Sequence, residues 1–584
     1  MNERRCCHLL CCAAAVFALT GPSLPVRAQA PPPSQNPPAG GKTPTPVIRT
    51  TTHLVQVNVI AEDKHGDPIT GLTREDFRVL DKGEEQAIQF FSVEITGAPG
   101  GANNSPPPPL PANTWTNRFD KRSGVPLSVT VILLDGLNTR IQDQAPARQQ
   151  VIKLIQQLKP EDRIALYTLG SDLRILHDFT HDASSLLRAL AKYQGRNGPE
   201  VNDSNPEEPD TGNANLDDFI RGADSKFASY QKTVRATMTA TALEAIANHV
   251  AGIQGRKNLI WVSGGFPISI GYDDLSAGTF STAELRQFGP EIERAARALS
   301  NADLAVYPVD ARGLISSMSA SSRSIPGGFS RRNPNPASIA QNTGQDEITT
   351  MREFAARTGG RAFFNTNDLY AAMRRAMDDA RVTYTLGFYP THNTWDNKYR
   401  ELKVTVNRGD VRLRHRRGYF AFADKSPGES QRQAMLALAQ SSPLGATAIG
   451  LTVHGERASS GTQDQLTLVV QVDPHDLSFL QEEDRHVSLL AMAVIQGSQD
   501  GKIVTQDLKM LNVRLKEDTY LSIMKDGISF TRHLDLSAAT VMVRVVICDT
   551  RTGQAGSLDF QVPGGPSIPK NTSQSKPPDN KPQN

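Results

Sequence analysis

The sequence predicts a doubly wound α/β domain on a mostly parallel sheet, inserted in or flanked by immunoglobulin-like β-sandwich modules. Three observations carry this expectation. Across 127–390, near-continuous apolar runs alternate with segments whose apolar residues recur at helical spacing, the pattern of buried strands and crossover helices. Around 54–60 and again across 446–563, apolar and polar residues alternate at period two, as half-buried strands do. Pro-rich stretches separate the blocks.

Arg4 and Arg5 precede an apolar run from Leu9 to Leu19, then Gly21, Pro22 and the small-residue site Ala28-Gln29-Ala30. That order is a secretory signal peptide over 1–30, and its eleven-residue run is too short to span a bilayer. Residues 31–46 (PPPSQNPPAGGKTPTP) form a spacer without core-forming residues. A β segment covers 47–95: Val55, Val57 and Val59 alternate with polar neighbours, and Phe77-Arg78-Val79 and Ile88-Gln89-Phe90 supply further strands. A second linker, 96–123, centres on Pro106 to Pro109.

The α/β block is assigned to 124–394. Leu127–Leu134 reads as a strand buried on both faces. Val151, Leu154, Ile155 and Leu158 mark the helix after it. Ile164–Leu169, Leu173–Phe179, Leu259–Val262 and Leu304–Val309 are further strands, and Val382–Tyr389 is taken as the last. Helices fall at Ser184–Tyr193, around Leu243, Ile246 and Val250, at Ile292–Leu299, before Gly359-Gly360, and along Leu369, Met373 and Met377. Segments 195–238 and 313–345 interrupt the alternation as long polar loops. Strands in 395–424 are expected to pair with 47–95 and complete one sandwich around the inserted domain. A C-terminal sandwich occupies 442–563, and 564–584 is a polar, disordered tail.

Composition narrows the function. Of 584 residues, 63 are Lys or Arg and 61 are Asp or Glu, and the chain after residue 30 is formally neutral. No global field would grip nucleic acid. Four of the five cysteines lie in the leader, so Cys548 stands alone and disulfides cannot support the fold. His-Glu-x-x-His, the phosphate-binding Gly-x-x-x-x-Gly-Lys-Ser/Thr and Gly-x-Ser-x-Gly are all absent from the sequence. Ser263 sits at a strand-to-turn junction, but Trp261 replaces the glycine that a hydrolase elbow needs. A serine hydrolase is therefore a remote alternative.

In open α/β sheets, ligands sit beyond the carboxyl ends of the strands. Three such ends stand out: Asp135-Gly136-Leu137-Asn138-Thr139, Thr241 ahead of Leu243, and Trp261-Val262-Ser263-Gly264-Gly265. The chain resembles the von Willebrand factor type A (VWA) family, in the form of exported VWFA-related proteins of Acidobacteria. The likeness spans roughly 48–421. It rests on LVQVNVIAEDKHGDPITGLTREDFRVLDKGEEQ (54–86), VILLDGLNT (131–139), YPVDARGL (307–314), TGGRAFFNTNDLYAAMRRAMDDARVTYTLGFYP (358–390) and RHRRGYFA (414–421).

The resemblance implies a metal-ion-dependent adhesion site: Asp-x-Ser-x-Ser after the first strand, a Thr before a later helix, and an Asp after the fourth strand. Carried over, these positions are Asp135, Leu137, Thr139, Thr241 and Ser263. Two have lost their usual chemistry, one of them a charge suited to Mg²⁺ or Mn²⁺, while Asn138 and Asp310 are possible additional ligands. The preferred reading is an ion-free site in which Asp135 and Thr139 hydrogen-bond their loop. The expectation is a non-enzymatic, exported protein of the periplasm, envelope or medium, without a membrane span after cleavage. It would bind another protein or an envelope component through the top of its sheet. A metal-free envelope scaffold is the alternative.

Overall fold

The computed structural model describes residues 54–95, 109–119, 128–193, 211–253, 255–267, 283–313, 348–392, 394–396, 398–421, 433, 437, 440, 442–460 and 463–565. The expected leader 1–30, the spacer 31–46 and the tail beyond 565 lie outside the described residues, as do 314–347 and 194–210. The first strands are β1 (Val55–Glu62), β2 (Phe77–Asp81), β3 (Glu84–Gln86), β4 (Ile88–Ile95) and β5 (Thr114–Thr116). The central part runs β6 (Ser128–Asp135), α1 (Ile141–Gln156), β7 (Ile164–Leu169), β8 (Leu173–Thr180), α2 (Ala183–Lys192) and α3 (Ala214–Val250). It continues with β9 (Arg256–Ser263), α4 (Ala283–Asn301), β10 (Leu304–Asp310), α5 (348–358) and α6 (Leu369–Asp378). Then come β11 (Val382–Phe388), β12 (Tyr399–Val406), β13 (Arg412–His415) and β14 (Gly418–Phe420). The last part holds β15 (Leu451–Ser460), β16 (Gln463–Val472), β17 (Leu480–Glu482), β18 (Arg485–Gly497) and β19 (Ile503–Lys516). It closes with α7 (Glu517–Asp526), β20 (Ile528–Leu536), β21 (Met542–Asp549) and β22 (Ala555–Gln561).

The central sheet has the order β10-β9-β6-β7-β8, with β8 antiparallel at one edge and the other four parallel. Alternate residues of β6 feed two cores. Val129, Val131 and Leu133 pack with Leu243, Ile246, Leu299 and Phe354 of α3, α4 and α5. Ile132 and Leu134 face Val151, Leu154, Met373 and Met377 of α1 and α6. Each fully buried side chain of this kind contributes about 1.5–3 kcal/mol, which is why a strand apolar on both faces needs helices on both. The chain runs outward through β7 and β8, then returns to place β9 on the other side of β6. The reversal puts the topological switch point between β6 and β9.

Two antiparallel sheets, β13-β1-β11-β4 and β14-β12-β2-β3, share a core of Val57, Val59, Phe77, Val79, Tyr384, Leu386 and Val404. The chain leaves this module after β4 and re-enters at β11. Here the structure corrects the sequence reading: Val382–Phe388 pairs antiparallel with β1 and β4 and does not end the α/β sheet. All seven of its residues are buried, and its place directly after α6 imitates the next strand of the α/β alternation. The α/β part therefore ends with α6.

A second correction concerns 195–238. From Ala214 onward this stretch is one helix with the following turns, α3, capped by the Asn213 side chain on the amide of Asn215. A third concerns the linker 96–123. Its β5 joins the sheet β20-β16-β15-β5 of the C-terminal module. Trp115 stacks on Phe560 of the opposing sheet, β17-β18-β21-β22, at 4.4 Å, and β19 pairs with β18.

The modules are joined by charge and close backbone approach. The row Arg412, Arg414 and Arg416 lies partly in this junction. Arg414 pairs with Glu62 and Asp379, and Arg416 donates to the Ser300 hydroxyl at 3.0 Å. Gly252, after α3, has no room for a side chain: a Cβ there would lie 2.1 Å from the carbonyl oxygen of Thr447 in the C-terminal module. Among the described residues, no helix is long and apolar enough to cross a membrane.

Candidate functional site

The carboxyl ends of β6 and β9 meet at the switch point, and their side chains form one buried polar knot. The backbone turns sharply after Asp135, with the amides of Gly136 and Leu137 both donating to the Leu169 carbonyl at 2.8 and 3.1 Å. This turn aims Asp135 back over the sheet. Its Oδ1 accepts the Asn138 amide at 3.0 Å, a local turn closed by an aspartate side chain. Its Oδ2 accepts Asn138 Nδ2 at 2.9 Å, the Trp261 indole N–H at 2.9 Å and the Ser263 hydroxyl at 2.8 Å. A carboxylate offers about four lone-pair positions, two on each oxygen; three donors from this chain crowd Oδ2 and one meets Oδ1.

The remaining positions fit the same pattern. The Thr139 hydroxyl oxygen accepts the Gly264 amide at 2.9 Å, tying the β6 loop to the β9 loop. Ser263 Oγ in turn accepts the Gly265 amide at 3.3 Å. Asn138 Nδ2 also donates to Thr239 Oγ1 at 2.7 Å, which brings α3 into the knot. Burial pushes the Asp135 carboxyl above its ordinary range, and the donors from Asn138, Trp261 and Ser263 pull it back only in part.

Asp135, Asn138, Thr139 and Ser263 are thus brought together as the sequence places them, but Thr241 is not part of the network. The threonine that reaches it is Thr239. Two residues along a helix turn the side chain by about 200°. Thr239 is fully buried beside Ala236 and Ala240, whereas Thr241 is half-exposed. Asp310 lies in register with Ser263 on β10, yet its carboxylate is taken by Arg312, whose amide and Nε donate to Oδ1 at 3.0 and 2.9 Å. Sequence reasoning missed Trp261 as a donor, Thr239 and Arg312. The buried faces at 236, 240 and 243 carry the signal that selects Thr239 over Thr241.

The donor set does not fit a divalent ion. A hard cation needs free oxygen lone pairs, and here the carboxylate faces N–H and O–H protons instead. Leu137, where the adhesion pattern has a serine, is 0% exposed and part of the apolar core. Among the described residues, no group of three or more His, Cys, Asp and Glu is placed to hold a metal.

Beside the knot opens a recess of about 190 Å³, lined by Ile141, Ala145, Ala147, Tyr193, Val262 and Ala311 around the Asp135–Thr139 loop. Ile141, at the start of α1, is 67% exposed at its mouth. Burial, and then the Asp135 charge, raise the Tyr193 phenol above its ordinary range.

The fold is α/β: a doubly wound sheet of mostly parallel strands whose switch point carries the Asp135 loop. No family model matches the chain, and no curated protein does. Solved structures with some likeness include an aerotolerance-related membrane protein from Bacteroides fragilis, at 13% identity over 43% of this chain and 98% of that one, TM-score 0.22. The SpRpn10 VWA domain matches at 15% identity over 31% and 74%, TM-score 0.16. A von Willebrand factor type A protein from Catenulispora acidiphila matches at 9% identity over 82% and 73%, TM-score 0.23. At these scores the fold rests on the sheet order and the site on its own hydrogen bonds.

Proposed function

We propose that this chain is an exported, non-enzymatic VWA-like protein that binds another protein or an envelope component through the carboxyl rim of its α/β sheet, and does so without a metal ion. The observation that carries the reading is the engagement of both Asp135 oxygens by Asn138, Trp261 and Ser263. In that state Oδ2 has no lone pair left for a cation or for a ligand's donor. Recognition then falls to the exposed apolar edge, where Ile141 borders the recess. Ser263 supports a structural role over a nucleophilic one: it is fully buried, and its recorded hydrogen-bond partners are Asp135 and Gly265.

Thermal unfolding with Mg²⁺, Mn²⁺ or EDTA tests the metal-free state. The expected result is one Tm in all three, because a ligand that binds the folded chain at 100 times its Kd adds about 2.7 kcal/mol and would be visible. An EDTA-induced fall in Tm overturns the reading. Capture from an envelope extract, run with wild-type and Ile141→Asp, tests the surface: retention that survives EDTA and is lost in the variant is expected. Retention that EDTA abolishes counts against it.

A further inference from the structure

Among the described residues, the structure leaves an amphipathic surface without a partner on α3, N-terminal to the Thr239 that joins the knot. The 37-residue helix α3 is buried along its C-terminal half, through Ala236, Ala240, Leu243, Ile246 and Val250. Its N-terminal half stands clear, with Phe219 at 73%, Phe227 at 61% and Tyr230 at 65% exposure, and Leu216 exposed as well.

The exposed residues are not scattered. The exposed Leu216, Ala223, Phe227 and Tyr230 and the half-buried Ile220 and Val234 follow one another at spacings of four, three, four, three and four, with Phe219 beside this series. That is the 3.5-residue repeat of a coiled-coil seam, sustained for two and a half heptads. The face that is buried lower down the helix continues upward through Ser229, Gly222 and Asn215, all small or polar. The seam therefore runs on a different side from the one that grips the domain.

Charge is divided along the same segment. Residues 214–224 carry Asp217, Asp218 and Asp224 against Arg221, while 226–235 carry Lys226, Lys232 and Arg235 with no acid. Parallel pairing of two copies would set like charges side by side. Antiparallel pairing sets each acidic half against a basic one. In that register the seam layers are Leu216 with Val234, Ile220 with Tyr230, and Ala223 with Phe227, so the smallest residue faces a large aromatic.

We propose that the N-terminal half of α3 is a self-association surface, and that its occupant is the same helix of a second copy of this chain, packed antiparallel. Six layers span about 27 Å of helix. So short a seam predicts a dimer with a dissociation constant of micromolar order, below the range of a standard-size interface.

Sedimentation equilibrium of the full chain between about 1 and 100 µM tests this. The wild type is expected to double its mass across that range. Phe227→Asp is expected to remain a monomer with an unchanged Tm, since its side chain is mostly in water in the single copy. Raising NaCl from about 0.05 to 0.5 M should weaken the wild-type dimer several-fold by screening opposite charges. Three results would overturn the proposal. A wild type monomeric at 100 µM removes the partner. A fall in Tm with Phe227→Asp without loss of a dimer shows the seam covered by the same chain. A dimer tightened by salt requires like charges to face each other, and hence a parallel pair.

Discussion

Replacing Trp261 with Phe isolates the least expected member of the knot. The indole N–H donates to Asp135 Oδ2 at 2.9 Å, and the ring is fully buried against Phe266 and Phe354. Two losses follow. A hydrogen bond to a buried charge is worth about 1.5–3 kcal/mol, and the smaller ring forfeits packing of about 1–2 kcal/mol on the scale of large-to-small core changes. Urea unfolding should therefore show a loss of about 3–5 kcal/mol at neutral pH with an unchanged m-value.

The pH dependence separates the two parts. Asp135 has a folded-state pKa above its ordinary 3.8, so the folded chain holds a proton that the unfolded chain has released. Stability accordingly falls as pH rises from about 3.8 through the folded value. Removing one donor to the carboxylate raises that value further, because the charged form loses a hydrogen bond. The variant's deficit should then be large at pH 7.5 and shrink toward the packing part near pH 4. A deficit that is the same at both ends of that range, or under about 1 kcal/mol throughout, would show that Trp261 acts as filler and that Asp135 is not held by it.

Other expectations are more direct. Arg414→Ala strands Asp379 in the module junction and leaves Glu62 to Arg361 alone; in the wild type Tyr307, Asp379 and Glu62 hold the Arg414 guanidinium charged against the effect of burial. A loss of about 3–5 kcal/mol is expected from urea unfolding, and a loss under 1 kcal/mol would mean the junction does not depend on it. Burial, with the neighbouring Asp549 charge, pushes the Cys548 thiol up to about 12. Cys548 should therefore resist alkylation at pH 8 in the native protein and react once the C-terminal module is unfolded, as peptide mass mapping would read.

The α/β core was legible because burial on two faces leaves an unmistakable mark: Leu127–Leu134, Leu259–Val262 and Leu304–Val309 are apolar without alternation. β11 was misplaced by its position: Val382, Tyr384, Leu386 and Phe388 alternate with Thr383, Thr385 and Gly387, the period-two mark of an antiparallel strand, but the segment directly follows α6 as the next strand of an α/β alternation would. Helix α3 was hidden by its neighbours. The Asn- and Pro-rich acidic stretch before Asn213 drew the whole region into a loop, although the four-three spacing from Leu216 was present in the chain. At the site, Asp135, Asn138, Thr139 and Ser263 were found because strand ends can be located from sequence. Thr239 and Trp261 were not, because which side of a helix or strand faces a carboxylate depends on packing between distant segments.

The pairing of β1 with β11, where Val55 stands opposite Phe388, bears on how the protein is made. Synthesis from the amino end delivers β1 and β4 long before their partners exist and β2 with only β3 beside it, and β5 must wait longer still for β15. The central sheet, whose strands are all supplied by one continuous stretch, can close first and hold its two ends together as a template. Until then, the early strands travel as bare edges, so any mutation that slows the middle domain should raise aggregation of the ends without touching a residue in them.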